Sequence, residues 1–449
     1  METARAVDSG AGLDVDKLTY EIFSILESKF LFGYDDPKLF APASAGASPL
    51  PSPGAAAASS GKATPTRAGT KTKTKVCILS IDGGGRAADG LLAGAALVRL
   101  EASLRRRTGD DGARLADFFD VAAGSGAGGV LAAMLVARGA DGRPRFSADD
   151  ALAFLLRSLR RGGGAWSSDA QGLRGLFQFR RPGGGGGAGA FRRVFGDLTL
   201  RDTVRPVLVP CYDLATAAPF LFSRADAVET RAYDFRLRDV CAATCAGSGT
   251  VEARSCDGST RIAAVGGGVA LGNPTAAAIT HVLNNRRDFP LVAGVEDLLV
   301  VSIGSGEADS KERERGAAST SQIVRIAAEG VADMVDQAVA MAFGQNRTTN
   351  YIRIQATGTP SPRGASRGAA AAEAEEMLAQ RNVESVLFRG KKVAEQTNAE
   401  KLERFAHELV KERDRRRASP AAPALVRHHQ PSAAPSYSSL VSHTLASIM

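Results

Sequence analysis

The spacing of apolar positions changes several times along the chain. In residues 14–35, Leu18, Ile22, Phe23, Ile25, Leu26, Phe30 and Leu31 fall near helical spacing. That pattern predicts an amphipathic helix, docked on the main domain or lying on a membrane surface. Residues 41–75 lose the pattern to Ala, Pro, Ser, Gly, Thr and Lys, the composition of a flexible linker. Order resumes at Val76–Ile81, a short β run ending in Asp82 and three glycines. A helical pattern follows from about Leu91 to Arg107, and FFDVAAGSGAGGVLAAMLVARG repeats the sequence strand, glycine turn, helix. Alternating βα units predict an α/β fold with a mainly parallel sheet covered by helices. Residues 207–222 and 296–303 predict further strands, 181–190 a glycine-rich surface loop, and 400–417 a helix. The boundaries expected from these shifts are an N-terminal segment 1–40 and a linker 41–75, followed by an α/β domain 76–310. A helical extension 311–417 with a flexible stretch at 358–375, and a disordered tail 418–449, complete the chain.

With 449 residues, 44% hydrophobic and 23% charged, the chain can bury a substantial core. The net charge of +8 admits an anionic partner, a phospholipid surface or nucleic acid, as well as a merely solvated basic face. Arg157, Arg160, Arg161, Arg174, Arg180, Arg181, Arg192 and Arg193 crowd one region, and they leave the same two readings open. The cysteines Cys77, Cys211, Cys241, Cys245 and Cys256 have no paired zinc-ligand spacing, and only five histidines occur, so no metal site is expected. Reduced thiols in a cytoplasmic setting are the expectation. The start METARAVDSG lacks an apolar signal region, and no stretch is long and apolar enough to cross a bilayer, so any membrane contact is expected to be peripheral. Oligomeric state is not written in these features.

Two glycine turns carry the candidate chemistry. A glycine turn between strand and helix aims backbone N–H groups at one point, where an anion or a developing oxyanion is stabilised. Gly83-Gly84-Gly85 and Gly124-Ser125-Gly126-Ala127-Gly128-Gly129 both fit, beside the plainer reading of tight turns at strand ends. GSGAGG matches G-x-G-x-x-G, but the acidic residue that should end a second strand falls instead at Asp149–Asp150, in a helix start capped by Ser147. Dinucleotide binding is therefore a remote alternative, and no nucleotide cofactor is expected. A nucleophile elbow needs G-x-S-x-G at such a turn. The literal match, Gly364-Ala365-Ser366-Arg367-Gly368, has no strand running into it and reads as a decoy, whereas the well-placed turn has Gly126 at its apex. A Ser-His-Asp triad would have to use His281, because the other histidines lie in the C-terminal helix or tail.

These motifs resemble the patatin family of plant lipid acyl hydrolases. SIDGGG (80–85) resembles its oxyanion loop, FFDVAAGSGAGGVLAAML (118–135) its elbow block, and GGGVALGNPTAAA (266–278) the block around its aspartate. ATCAGSGT (243–250) and VVSIGSG (300–306) resemble the segments between and after. The match runs from about Lys75 to Gly306, with features of the divergent third class of plant patatin-like proteins, whose elbow is commonly G-x-G-x-G. The resemblance implies a three-layer α/β/α sandwich, a Ser–Asp dyad needing no histidine, and membrane glycerolipids as substrates, with no cofactor and no nucleic acid. It places Gly126 at the nucleophile position and Gly266 at the dyad aspartate position, with Gly83, Gly84 and Gly85 as oxyanion-hole donors. The family's loop arginine is displaced to Arg86 or replaced by Asp89.

Loss of an essential nucleophile removes about six orders of magnitude in rate, while backbone donors and binding retain roughly 10³–10⁴-fold over water. Ser125 is a candidate surrogate nucleophile and Ser248 a weaker one; Asp82 reads as a loop-orienting residue, and Asp213 and Asp226 are candidates by proximity alone. Two functions remain open at this point. One is weak or unconventional hydrolysis of phospholipid and galactolipid esters; the other is a non-catalytic lipid-binding or regulatory role.

Overall fold

The computed structural model describes residues 74–159, 186–247, 249–307, 320–358, 366–386 and 389–418. The helix expected in residues 14–35, the linker, the tail, Ser248 and most of the arginine-rich stretch lie outside the described residues.

Five strands form a parallel core in the order β3-β2-β1-β7-β8: β1 Val76–Ile81, β2 Val121–Gly124, β3 Val207–Asp213, β7 Leu298–Ile303 and β8 Tyr351–Ile354. Three antiparallel strands extend it: β4 Ala218–Ser223, β5 Val251–Arg254 and β6 Arg261–Gly266. β2 pairs with β3 only at Val207 and Leu208, and β6 pairs farther along at Cys211–Asp213. The glycine ends of β2 and β6 are thereby brought toward each other.

Period-two alternation in β1 sorts its side chains between two cores. Cys77, Leu79 and Ile81 share one core with helices α1 (Leu91–Thr108), α2 (Ala127–Val136) and α3 (Ala148–Ser158). Val76 and Ile78 share the other with α8 (Thr275–Asn284) and α9 (Thr320–Phe343). The result is the α/β/α layering expected from the sequence. Ser147 caps α3 as its sequence suggests, accepting from the Asp150 N–H at 3.1 Å while Asp150 accepts the Ser147 N–H at 2.9 Å. The smaller helices are α4 (Gly186–Phe195), α5 (Arg224–Glu229), α6 (Leu237–Thr244) and α7 (Gly267–Ala270).

The region after Gly306, expected to be helical, also contributes strands. Following α10 (Arg347–Asn350), β8 joins the main sheet; α11 (Arg367–Ala379) then leads to a separate hairpin, β9 (Arg381–Val386) with β10 (Gly390–Thr397). The stretch read as flexible or Ala-rich becomes α11 from Arg367 onward, and Ser366 of the decoy motif is its cap, accepting the Ala369 N–H at 3.2 Å. Finally α12 (Asn398–Ala418) packs on α1 through Leu402, Phe405, Ala406 and Leu409.

Candidate functional site

Three glycine segments meet at the carboxyl ends of β1, β2 and β6. Gly126 caps α2 with φ 54° and ψ −124°, a conformation open to glycine and strained for an L side chain. Its N–H donates to the Thr244 Oγ at 2.9 Å, in a buried hydrogen bond. The next N–H, of Ala127, donates to the Gly84 carbonyl at 2.8 Å, and the Ser125 N–H donates to Ile81 at 3.0 Å, stitching the two turns together. A Cβ built on Gly126 would lie 2.2 Å from the Gly84 oxygen and 2.6 Å from the Gly83 oxygen. One on Gly268 would lie 2.7 Å from the Gly83 oxygen, and one on Gly266 2.1 Å from the Ala246 oxygen. The backbones approach so closely that only hydrogen fits at these positions without movement of a loop.

The loop Gly83–Gly85 is asymmetric. Gly83 is buried, while Gly84 and Gly85 are half-exposed. Among the described residues, no hydrogen bond engages the N–H groups of these three glycines, whereas the Gly84 carbonyl is held by the elbow. At the loop's far end Arg86 pairs with Asp89 at 2.7 Å, and Asp89 also accepts the Arg86 N–H at 3.0 Å. Arg86 is thus largely neutralised at the lip of the site.

A family model described as "Patatin-like phospholipase" matches residues 79–279, which span all three segments. The chain is 62% identical over 430 residues to "Patatin-like protein 3" of Oryza sativa subsp. indica, covering 92% of this chain and 94% of that protein. The chain belongs to the patatin-like family. It is also 48% identical to "Patatin-like protein 7" of Arabidopsis thaliana, over 90% of this chain and 82% of that one. "Probable inactive patatin-like protein 9", also of Arabidopsis thaliana, is 45% identical over 74% of this chain and 86% of its own length.

The other candidates fall in different places within this patatin-like frame. Ser125 is fully buried and its hydroxyl has no hydrogen-bond partner among the described residues. No described base stands ready to deprotonate it. Asp82 is buried at the end of β1 and receives a 2.6 Å hydrogen bond from Arg353 of β8. Burial pushes the Asp82 carboxyl up, the Arg353 guanidinium pulls it back, and the carboxylate in turn holds Arg353 firmly protonated. Arg353 continues to Ser302 at 2.8 Å, and Ser302 and Ser80 each lie 2.9 Å from the Thr275 hydroxyl. This chain ties the end of β1 to β7 and β8. Among the described residues the Asp82 carboxylate accepts no hydrogen bond from the glycine-loop backbone, so it does not orient the loop by the backbone bonds expected of it. Asp213 is spent on its own turn and on β6, accepting from Ala215 and Thr216 of the turn and from the Ala263 N–H of the strand. Asp226 and His281 share a separate cleft of about 430 Å³ with Arg224 and Asp288. A larger cleft of about 630 Å³ lies beside β8 and β10, and neither cleft is lined by the glycine cluster.

Thr244 and Arg353 are the contributors that sequence reading missed. Thr244 lies in the flagged segment ATCAGSGT, and only the fold shows that its hydroxyl serves the elbow. Arg353 had a signal of its own, a lone cation in the apolar run YIRI. Among the described residues no group of His, Cys, Asp or Glu is arranged to hold a metal ion, and no helix is long and apolar enough to cross a membrane. The five cysteines are free, with Cys256 alone exposed.

Proposed function

We propose that this chain is a patatin-like lipid acyl hydrolase homologue that engages membrane glycerolipids, phospholipids or galactolipids, and hydrolyses them slowly, without a Ser–Asp dyad. Membership of the family supports a lipid acyl hydrolase-type function. The observation that carries the finer reading is the fit of Gly126 and Gly266 into spaces too tight for a side chain. With glycine at both positions, the covalent acyl-enzyme route lacks its nucleophile and its base.

The backbone N–H groups of Gly83, Gly84 and Gly85, engaged by no hydrogen bond among the described residues, would serve as donors to an ester carbonyl in this reading. Donors of this kind stabilise charge only as it develops, so they support direct attack by water at a modest rate. Peripheral contact with the bilayer and a cytoplasmic setting belong to the same proposal. A non-catalytic lipid-binding or regulatory role is the second reading, favoured by the buried, unpartnered Ser125 hydroxyl.

The test is an assay of the full chain on phosphatidylcholine and on a galactolipid, beside Ser125→Ala. The expected result is lipid binding with slow turnover, about six orders of magnitude below that of a dyad enzyme, and unchanged in Ser125→Ala. Binding without turnover selects the second reading. Fast turnover abolished by Ser125→Ala would overturn the proposal, and so would absence of binding to either lipid.

A further inference from the structure

Helix α9 buries Val339, Ala340 and Phe343 in the second core, with Val335 packed against it, and yet its outward side is apolar as well. Its acidic residues Glu329, Asp333 and Asp336 recur at helical spacing on the buried or half-buried side, and Arg325 lies 3.9 Å from Glu329. Asp336 is buried and accepts the Tyr351 hydroxyl at 2.5 Å. Asp333 accepts from Ser385 at 3.0 Å and pairs with Lys391 at 3.0 Å. The Asn273 side chain adds a hydrogen bond to the Ala332 carbonyl at 3.2 Å. These polar contacts and the buried Val339, Ala340 and Phe343 together fix which side of α9 faces outward. On the opposite side Ile323, Val331, Met334 and Met341 are each 46–62% exposed, with exposed Ala327 and Ala338 between them and no charge in the row. An ordinary surface helix carries charged and polar residues on that side.

We propose that this outward stripe of α9 is a membrane-docking surface, which lies on the acyl boundary of a glycerolipid bilayer. Eighteen residues of rise make the stripe about 27 Å long and one helix, about 10 Å, wide. Its footprint is therefore on the order of 300 Å², well short of the about 800 Å² per partner of a stable protein interface. A bilayer requires no matching partner surface, and shallow insertion of an apolar helix face is how peripheral helices bind. Helix α9 also packs beside α7, which carries Gly267 and Gly268 of the glycine cluster. The Ala328 carbonyl lies 3.9 Å from a Cβ built on Gly272, and Val269, one residue beyond Gly268, is 59% exposed. Docking through α9 thus sets the site at the bilayer surface. The choice of a lipid occupant rests on the glycerolipid reading above; the apolar outward side of α9 does not.

The experiment uses the full chain with vesicles of phosphatidylcholine, in a flotation assay at low and high salt. Val331→Asp/Met334→Asp is expected to lower partition at least about tenfold. Leu214→Asp, at an exposed apolar position on the β3–β4 turn, should leave it unchanged. Partition that survives high salt supports docking by apolar contact; partition abolished by salt overturns it. Equal flotation of wild type and the double variant would also overturn it. So would a wild-type dimer that the double variant dissociates. Binding of monomeric short-chain phosphatidylcholine, measured in parallel, reads the glycine site alone. Its loss with α9-dependent flotation intact would sink the functional reading and leave the docking surface standing.

Discussion

Gly126 sits at φ 54° with the Gly84 oxygen 2.2 Å from where a Cβ would be, so both conformation and space oppose a side chain. Gly126→Ser is expected to cost about 1–3 kcal/mol, read as a lower Tm; a higher Tm would show that the elbow relaxes freely. Its neighbour should behave in the opposite way. The Ser125 hydroxyl is buried without a partner, and Ser125→Ala removes that unsatisfied group while keeping the Cβ. Denaturant unfolding should give a variant as stable as wild type, or more stable by about 1 kcal/mol. A third residue reports through pH. Burial holds His281 below its ordinary value, against the pull of Asp226 and Asp288, so the folded state favours neutral imidazole. The unfolded chain then binds the extra proton first as pH drops below about 6.5. Stability should fall on acidification with a slope of up to about 1.4 kcal/mol per pH unit from this group, and His281→Gln should flatten that slope. At this scale a conspicuous glycine run between a strand and a helix pointed to the turn at Gly126, while Gly266 was placed by the family resemblance alone. Neither signal gave a view of carbonyl orientation, which depends on how two loops pack.

Elements were legible in proportion to their length and the purity of their pattern. β1, α1 and α12 were visible because apolar spacing persists over the whole element and the flanking residues stop it, three glycines after β1 and Gly109 after α1. β8 was not, because four residues give too little period and Arg353 interrupts the apolar run. That interruption is functional. Arg353 is buried at 7% exposure because Asp82 and Ser302 satisfy it. Breaking such a pair leaves a charge uncompensated, whereas removing both partners need not. Arg353→Met is therefore expected to cost about 3–5 kcal/mol, and Asp82→Asn/Arg353→Met to cost less than Arg353→Met alone. Denaturant titrations of these two variants and of Asp82→Asn alone decide this. Additive losses would mean that the two side chains do not act as a unit.

The whole domain is closed by contacts between residues far apart in sequence. Where β1 begins, Lys75 donates its backbone N–H to Glu412 at 2.8 Å and its ammonium to Asn350 at 2.6 Å. Arg416 reaches Asp120 at 2.7 Å, and Asp120 itself accepts the Cys77 N–H at 2.8 Å. Helix α12 is thus tied to the first and second strands of the sheet while its apolar side covers α1. Burying Leu402, Phe405 and Leu409 at about 1.5–3 kcal/mol each contributes roughly 5–9 kcal/mol. That is comparable to the entire net stability of an ordinary domain, about 5–15 kcal/mol. A chain ending at Thr397 is consequently expected to lose cooperative unfolding and near-ultraviolet circular dichroism, although the glycine cluster and the family-matched residues 79–279 would all remain. A sharp thermal transition in that truncated chain would show that the matched region folds alone, and that α12 is an addition to the domain and not part of its core.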